Sequence, residues 1–175
     1  MVAEFQPHEM LGALANHHVE FVVIGGYSAN LHGSPLPTLD LDITPRRERD
    51  NLDHLSGALR ELDAKVRAVE LDEPLPFDHD ADSLAAVEVW NLTTRYGDLD
   101  ISFVPTGTRG YEDLRQDAVE VRLGGLRFLA APRADGSRNK EAAGRDKDRR
   151  TLPVLREILA RRLHEGPVSP PPRAG

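Results

Sequence analysis

Asp40-Leu41-Asp42 and Asp98-Leu99-Asp100 are two Asp-x-Asp pairs, and each is bordered by apolar residues. On a β-strand alternate side chains share a face, so Asp40 and Asp42 point one way while Leu39, Leu41 and Ile43 point the other. Carboxylates one strand repeat apart are separated by ~6–7 Å of backbone and repel unless a positive charge lies between them. Alternating acids on the solvent side of an edge strand are the ordinary alternative. Three or four acids converging on one spot would instead make a divalent-cation site. Oxygen ligands in a chain without cysteine favour Mg2+ or Mn2+ over zinc. Such a site suits phosphoryl and nucleotidyl transfer, in which two ions ~3.5–4 Å apart can neutralise the attacking and leaving oxygens.

Gly25-Gly26 precedes the first acidic pair, with thirteen residues between Gly26 and Asp40. Between a strand and a helix, such a pair lets backbone N–H groups approach an anion without Cβ interference, or it simply makes a tight turn. No Gly-Lys-Ser/Thr follows, so this is not a Walker loop, and the dinucleotide-binding glycine spacing is missing too. Other polar residues have structural readings as good as functional ones. His17 and His18 close a predicted helix. His32 sits at another helix end, Trp90 on a strand reads as core or as a base-stacking platform, and Asp78-His79-Asp80 reads as a solvated loop. Arg46-Arg47 either meets substrate phosphates or begins a solvated helix face.

These residues need elements to hold them. Apolar spacing predicts a helix over 7–18 and another over 46–63, where Leu52, Leu55, Leu59 and Leu62 form one stripe. Strands are expected at 20–24, 38–44, 85–93 and 98–104, the last two joined by a turn at Tyr96-Gly97. A short helix over 27–32 ends at Gly33, and 74–82 is a polar loop. A weaker helix covers 111–116. Strands at 119–123 and 126–129 bracket Gly124-Gly125 as a second hairpin. Beyond Pro132 the pattern turns helical, and the tail from Pro167 holds four prolines in nine residues, a composition that predicts disorder.

At 175 residues, with 39% hydrophobic and 29% charged residues, the chain is one globular domain with room for a core. No apolar run is long enough to span a membrane, and the first twenty residues lack the pattern of a signal peptide, so a cytoplasmic location is expected. The net charge of −7 conceals a gradient. Residues 122–163 carry twelve Lys/Arg against five Asp/Glu, while the remainder carries ten against twenty-four. That basic third either meets phosphates or pairs with the acidic body.

A strand ending in Gly-Gly, a short helix, an Asp-x-Asp strand and a later strand Asp together resemble the nucleotidyltransferase superfamily of DNA polymerase beta, over residues 20–104. Lys140, Arg145 and Lys147-Asp148 further resemble the Lys-x4-Arg-x-Lys-Asp signature of the AbiEii/MenT group, the nucleotidyltransferase-like toxins of bacterial toxin–antitoxin systems. The two resemblances together span roughly residues 20–155. They imply that Asp40 and Asp42 are metal ligands and that Asp100 is the third carboxylate and general base. Gly25, Gly26 and Lys140, with Arg145 or Lys147, would meet the triphosphate. Gly26 stands where much of the superfamily has Ser, and Ser28 follows two positions later as a further candidate for the phosphate site. Thr151 stands where relatives often have Asp, and no role follows for it.

The expected fold is therefore α/β (α+β): a polymerase-beta-like nucleotidyltransferase core with a small mixed twisted sheet over 1–130. A basic helical C-terminal extension over 131–165 and a disordered tail over 166–175 complete the expected organisation. The expected reaction is Mg2+- or Mn2+-dependent transfer of a nucleoside monophosphate from an NTP to an acceptor hydroxyl. The toxin resemblance implies RNA as acceptor, at a tRNA 3′ end, and a cognate antitoxin as protein partner. Nucleotidylation of a protein or an aminoglycoside-type small molecule is the enzymatic alternative. A catalytically silent partner-binding module is the alternative of a different class.

Overall fold

A computed structural model describes residues 3–132. They form seven strands and five helices: α1 (Pro7–Asn16), β1 (Phe21–Ile24), α2 (Gly25–Leu31), β2 (Asp40–Pro45), α3 (Arg49–Glu61), β3 (Lys65–Val66), α4 (Ala81–Ala85), β4 (Val89–Thr94), β5 (Gly97–Ser102), α5 (Tyr111–Asp117), β6 (Val119–Leu123) and β7 (Leu126–Ala130). One mixed sheet takes the order β3-β4-β5-β2-β1-β7-β6. The β2–β5 and β1–β7 pairs are parallel and the remaining pairs antiparallel. The expected helical extension over 131–165 falls, beyond Pro132, outside the described residues, as does the tail over 166–175.

The sheet is apolar on one face and acidic on the other. Val23, Ile43 and Ile101 lie in one cross-strand row, and Leu41 and Leu99 in another. All five are buried in the same core as Met10, Leu11 and Leu14 of α1 and Leu52, Leu55 and Leu59 of α3. The leucine stripe read from the sequence is therefore what seats α3 on the sheet. Asn51, fully buried, fixes where that helix begins. Its Nδ2 donates to the carbonyls of Glu20 and Arg46, and its Oδ1 accepts from the Glu20 N–H. Residues of opposite parity (Asp40, Asp42, Asp98 and Asp100) occupy the other face.

Three local expectations are corrected. α2 begins at Gly25, two residues before the expected start at Tyr27. Residues 74–80 are a loop with Asp78 and Asp80 exposed, as expected, but the segment is anchored inward: Leu75 bridges Val66, and the Ser56 hydroxyl lies 2.7 Å from His79 Nδ1. Phe77 stacks on Trp90 at 5.2 Å, and Trp90 pairs with Ile101, so this segment covers the apolar face, away from the acids. From Ala81 the chain is helical, because Asp80 and Ser83 close a capping box, and β4 starts only at Val89. Trp90 is core: it is buried, and its Nε1 donates to the Leu84 carbonyl.

Candidate metal centre

Register brings the acids together. β2 and β5 run parallel with Asp40 opposite Asp98 and Asp42 opposite Asp100. Oxygens from Asp40, Asp42 and Asp100 all lie within 4.8 Å of one another. Asp42 and Asp100 are buried and Asp40 is half-buried. Like charges this close repel, and a cation at this point would relieve that repulsion. The donor set, three hard carboxylate oxygens with no nitrogen or sulfur, fits Mg2+ or Mn2+.

β1 delivers the glycine pair to the same point. Ile24 is the antiparallel partner of Asp42, so Gly25 follows directly beside the carboxylate. Gly25 has φ +70°, and a Cβ placed on it would stand 2.3 Å from Asp42 Oδ2. Both the backbone conformation and the close approach therefore require glycine here. On the outer side of the cluster, the Thr38 hydroxyl lies 3.2 Å from the Asp40 carbonyl and 3.4 Å from its Oδ1.

Ser28 and His32 of the α2 region occupy a different place. Ser28 is buried, and its hydroxyl donates to the Ala131 carbonyl at 2.7 Å. His32 Nε2 donates to the same oxygen at 3.0 Å. The Ala131 N–H in turn donates to the Val23 carbonyl. Because β7 runs parallel to β1, the chain leaves the sheet at the Gly25 end, where the acids lie. Lys140, Arg145 and Lys147 lie outside the described residues.

Arg46 and Arg47 are held away from the cluster, at the other end of β2. Arg46 pairs with Glu20 and Asp50, and Arg47 lies 4.9 Å over the Phe103 ring and bonds to the Ala85 carbonyl. His17 caps the C-terminus of α1 and pairs with Glu61 at 2.8 Å.

The residue that sequence reading missed is Arg67. Its backbone N–H donates to the Asn91 carbonyl, and Asn91 is the cross-strand partner of Asp100. Arg67, Asn91, Asp100 and Asp42 thus form one row across four adjacent chain segments. Arg67 Nη2 stands 2.8 Å from Asp100 Oδ1, and its Nε stands 3.4 Å from Asp98 Oδ2. Asp98, the fourth acid of the two pairs, faces this arginine and is not in the three-carboxylate cluster. The sole signal in the sequence was a basic residue beside Lys65-Val66, a strand too short to announce itself by alternation.

No protein-family model matches the chain, and no curated protein matches it. Among solved structures, a candidate nucleotidyltransferase of Thermotoga maritima superposes with a TM-score of 0.50 at 18% identity, covering 91% of this chain and 98% of that one. The antibiotic-resistance factor ANT(2'')-Ia superposes with a TM-score of 0.43 at 17% identity, over 71% of this chain and 62% of that one, which is too distant to support an argument. The first likeness establishes the fold: the chain has the mixed α/β core and twisted sheet of the nucleotidyltransferase fold. Fold alone does not assign a reaction.

Proposed function

We propose that this protein is a metal-dependent nucleotidyltransferase whose centre is Asp40, Asp42 and Asp100. The convergence of the three carboxylate oxygens within 4.8 Å, on a sheet of this fold, is the observation that carries the reading. Bound Mg2+ or Mn2+ would supply Lewis-acid stabilisation of charge on the reacting phosphate oxygens. Asp40 and Asp42 would hold the ion from neighbouring positions on one strand face. Asp100 completes the ligand set from β5 and takes the proton as the acceptor hydroxyl attacks the α-phosphorus. The bond from the α-phosphorus to the bridging oxygen breaks, and pyrophosphate leaves. Gly25 and Gly26 bring backbone N–H groups near the triphosphate without side chains in the way. Lys140, with Arg145 or Lys147, supplies positive charge to it. The direction in which the chain leaves β7 supports that role, since it departs beside Gly25.

RNA is the acceptor this reading favours, a tRNA 3′ end by the resemblance to AbiEii/MenT toxins, with an antitoxin as cognate partner. The basic residues of 122–163 support it, because a segment with twelve Lys/Arg against five Asp/Glu would attract a phosphate backbone. The net charge of −7 favours a second reading, transfer to a protein or small-molecule hydroxyl.

Incubation with each α-labelled NTP and Mg2+, in separate arms with total tRNA, cell protein and an aminoglycoside, tests both readings. Label on tRNA, abolished by Asp42→Asn, is the expected result. Label only on protein or aminoglycoside would transfer the assignment to the second reading. Absence of product in every arm would remove the catalytic claim.

A further inference from the structure

Arg67 follows directly on β3, a two-residue strand at the edge of the sheet. Its guanidinium lies against two acids of the catalytic face, on the row that contains Asp100 and Asp42. An arginine suits that position better than a lysine, because its planar fork reaches carboxylates on two rows at once. Its buried Nε makes the ion pair with Asp98 at 3.4 Å without a hydrogen bond, the longer of its two acid contacts, while the side chain as a whole is 40% exposed. An anion arriving at the exposed part of the head would therefore compete first with the Asp98 contact.

The electrostatic consequence depends on what enters the site. A fixed positive charge beside a ligand carboxylate opposes a bare divalent cation, since both carry positive charge and share Asp100. The same charge attracts a cation that arrives bound to a nucleoside triphosphate, because that complex is an anion overall. We propose that Arg67 is a specificity-determining residue that disfavours the bare divalent cation and favours the cation–nucleoside triphosphate complex. The inference rests on the metal-centre reading of Asp40, Asp42 and Asp100 and extends it to the form in which the cation is taken up. Until the complex arrives, Arg67 serves Asp98 and Asp100 as a counter-ion. Once it arrives, the guanidinium becomes a donor to phosphate oxygens, a geometry arginine satisfies in bidentate fashion.

A merely structural arginine would change both affinities in the same direction, or neither. The test is Mn2+ titration followed by electron paramagnetic resonance, in which free aquo-Mn2+ is counted directly. It is run with Mn2+ alone and with the α,β-methylene analogues of the four ribonucleoside triphosphates in turn. Arg67→Met removes the charge, and Arg67→Gln removes it while keeping donors for Asp100, so the test survives if one variant fails to fold. Both are expected to bind bare Mn2+ about tenfold more tightly and to lose about tenfold in affinity for the preferred analogue with Mn2+. Arg67→Lys keeps the charge but loses the fork, so it should stay near the parent for bare Mn2+ and lose part of the affinity for the analogue with Mn2+. Unchanged or weakened Mn2+ binding in the Met and Gln variants, with a parent that binds, overturns the role of Arg67 alone. A parent that binds Mn2+ no better than Asp42→Asn overturns the metal centre itself, and this inference with it.

Discussion

Gly25 and Asp42 are one device at the residue scale. The carboxylate sits where a Cβ on residue 25 would be, and the backbone there has φ +70°. Gly25→Ala therefore has to strain the backbone by about 1–2 kcal/mol and push the Asp42 side chain out of the cluster. Its expected outcome is loss of Mn2+ binding and of most nucleotidyl transfer, with a fall in melting temperature. Gly12 is the control, since it lies within α1 with nothing within 4 Å of an added Cβ. Gly12→Ala should raise stability by roughly 0.5–1 kcal/mol and leave activity intact. Asp42→Asn presents the opposite trade. Removing one of three mutually repelling charges should raise the melting temperature of the metal-free protein while abolishing transfer. Added Mg2+ should then raise the melting temperature of the parent and not of Asp42→Asn, which thermal unfolding with and without the ion will show.

At the scale of the elements, alternation did most of the positioning, and alternation was legible in the sequence. Asp40, Asp42, Asp98 and Asp100 show period two against Leu41, Ile43, Leu99 and Ile101, so the two faces could be assigned before any strand was paired. Which strands adjoin was not legible in the spacing: the pairing brings Asp100 beside Asp42, while Asp98 instead faces Arg67. Arg67 escaped because a two-residue strand has no period. The start of α2 escaped because glycine is a poor helix former, and Gly25 owes its place to the neighbouring carboxylate. The acidic face also contains a mismatch: Thr44 is fully buried and its hydroxyl has no hydrogen bond among the described residues. Thr44→Val keeps the shape and removes the unpaired group, so stability should rise by ~1 kcal/mol, or about 2–4 °C for a chain of this size. On the opposite face, burial, aided by the Arg60 charge, pushes the His79 imidazole below its ordinary range, against the opposing pull of Asp78 and Asp80. The fold thus favours neutral His79. Its contribution is complete above the ordinary pKa of about 6.5 and is lost as pH falls below that value, where the unfolded chain takes up the proton first. Urea unfolding at pH 7.5 and 5.5 should show a larger loss for the parent than for His79→Asn, which keeps a polar group near Ser56.

Across the whole molecule, charge and chain direction act together. The acidic face of the sheet carries the candidate cation site, while the basic residues concentrate after β6, and the Ala131 carbonyl is held by Ser28 and His32 at the Gly25 end of the sheet. A polyanion approaching the centre would be repelled by the acidic body and attracted by the basic residues beyond Ala131. That division predicts separable defects. Reversing the charges of Lys140, Arg145 and Lys147 together should leave Mn2+ affinity unchanged, because all three ligands come from β2 and β5. The same variant should weaken the cation–nucleotide complex and, if RNA is the acceptor, flatten the salt dependence of RNA binding. Each phosphate no longer neutralised removes about 0.7 from the slope of log K against log salt for a single strand, and about 0.9 for a duplex. Filter-binding titrations across 50–200 mM salt measure that slope directly. A slope identical to the parent's would mean that these three side chains meet no RNA phosphate, whatever they do for the triphosphate. A slope reduced by about two, with Mn2+ binding intact, would place the acceptor's backbone against them and make the tRNA reading the one to pursue.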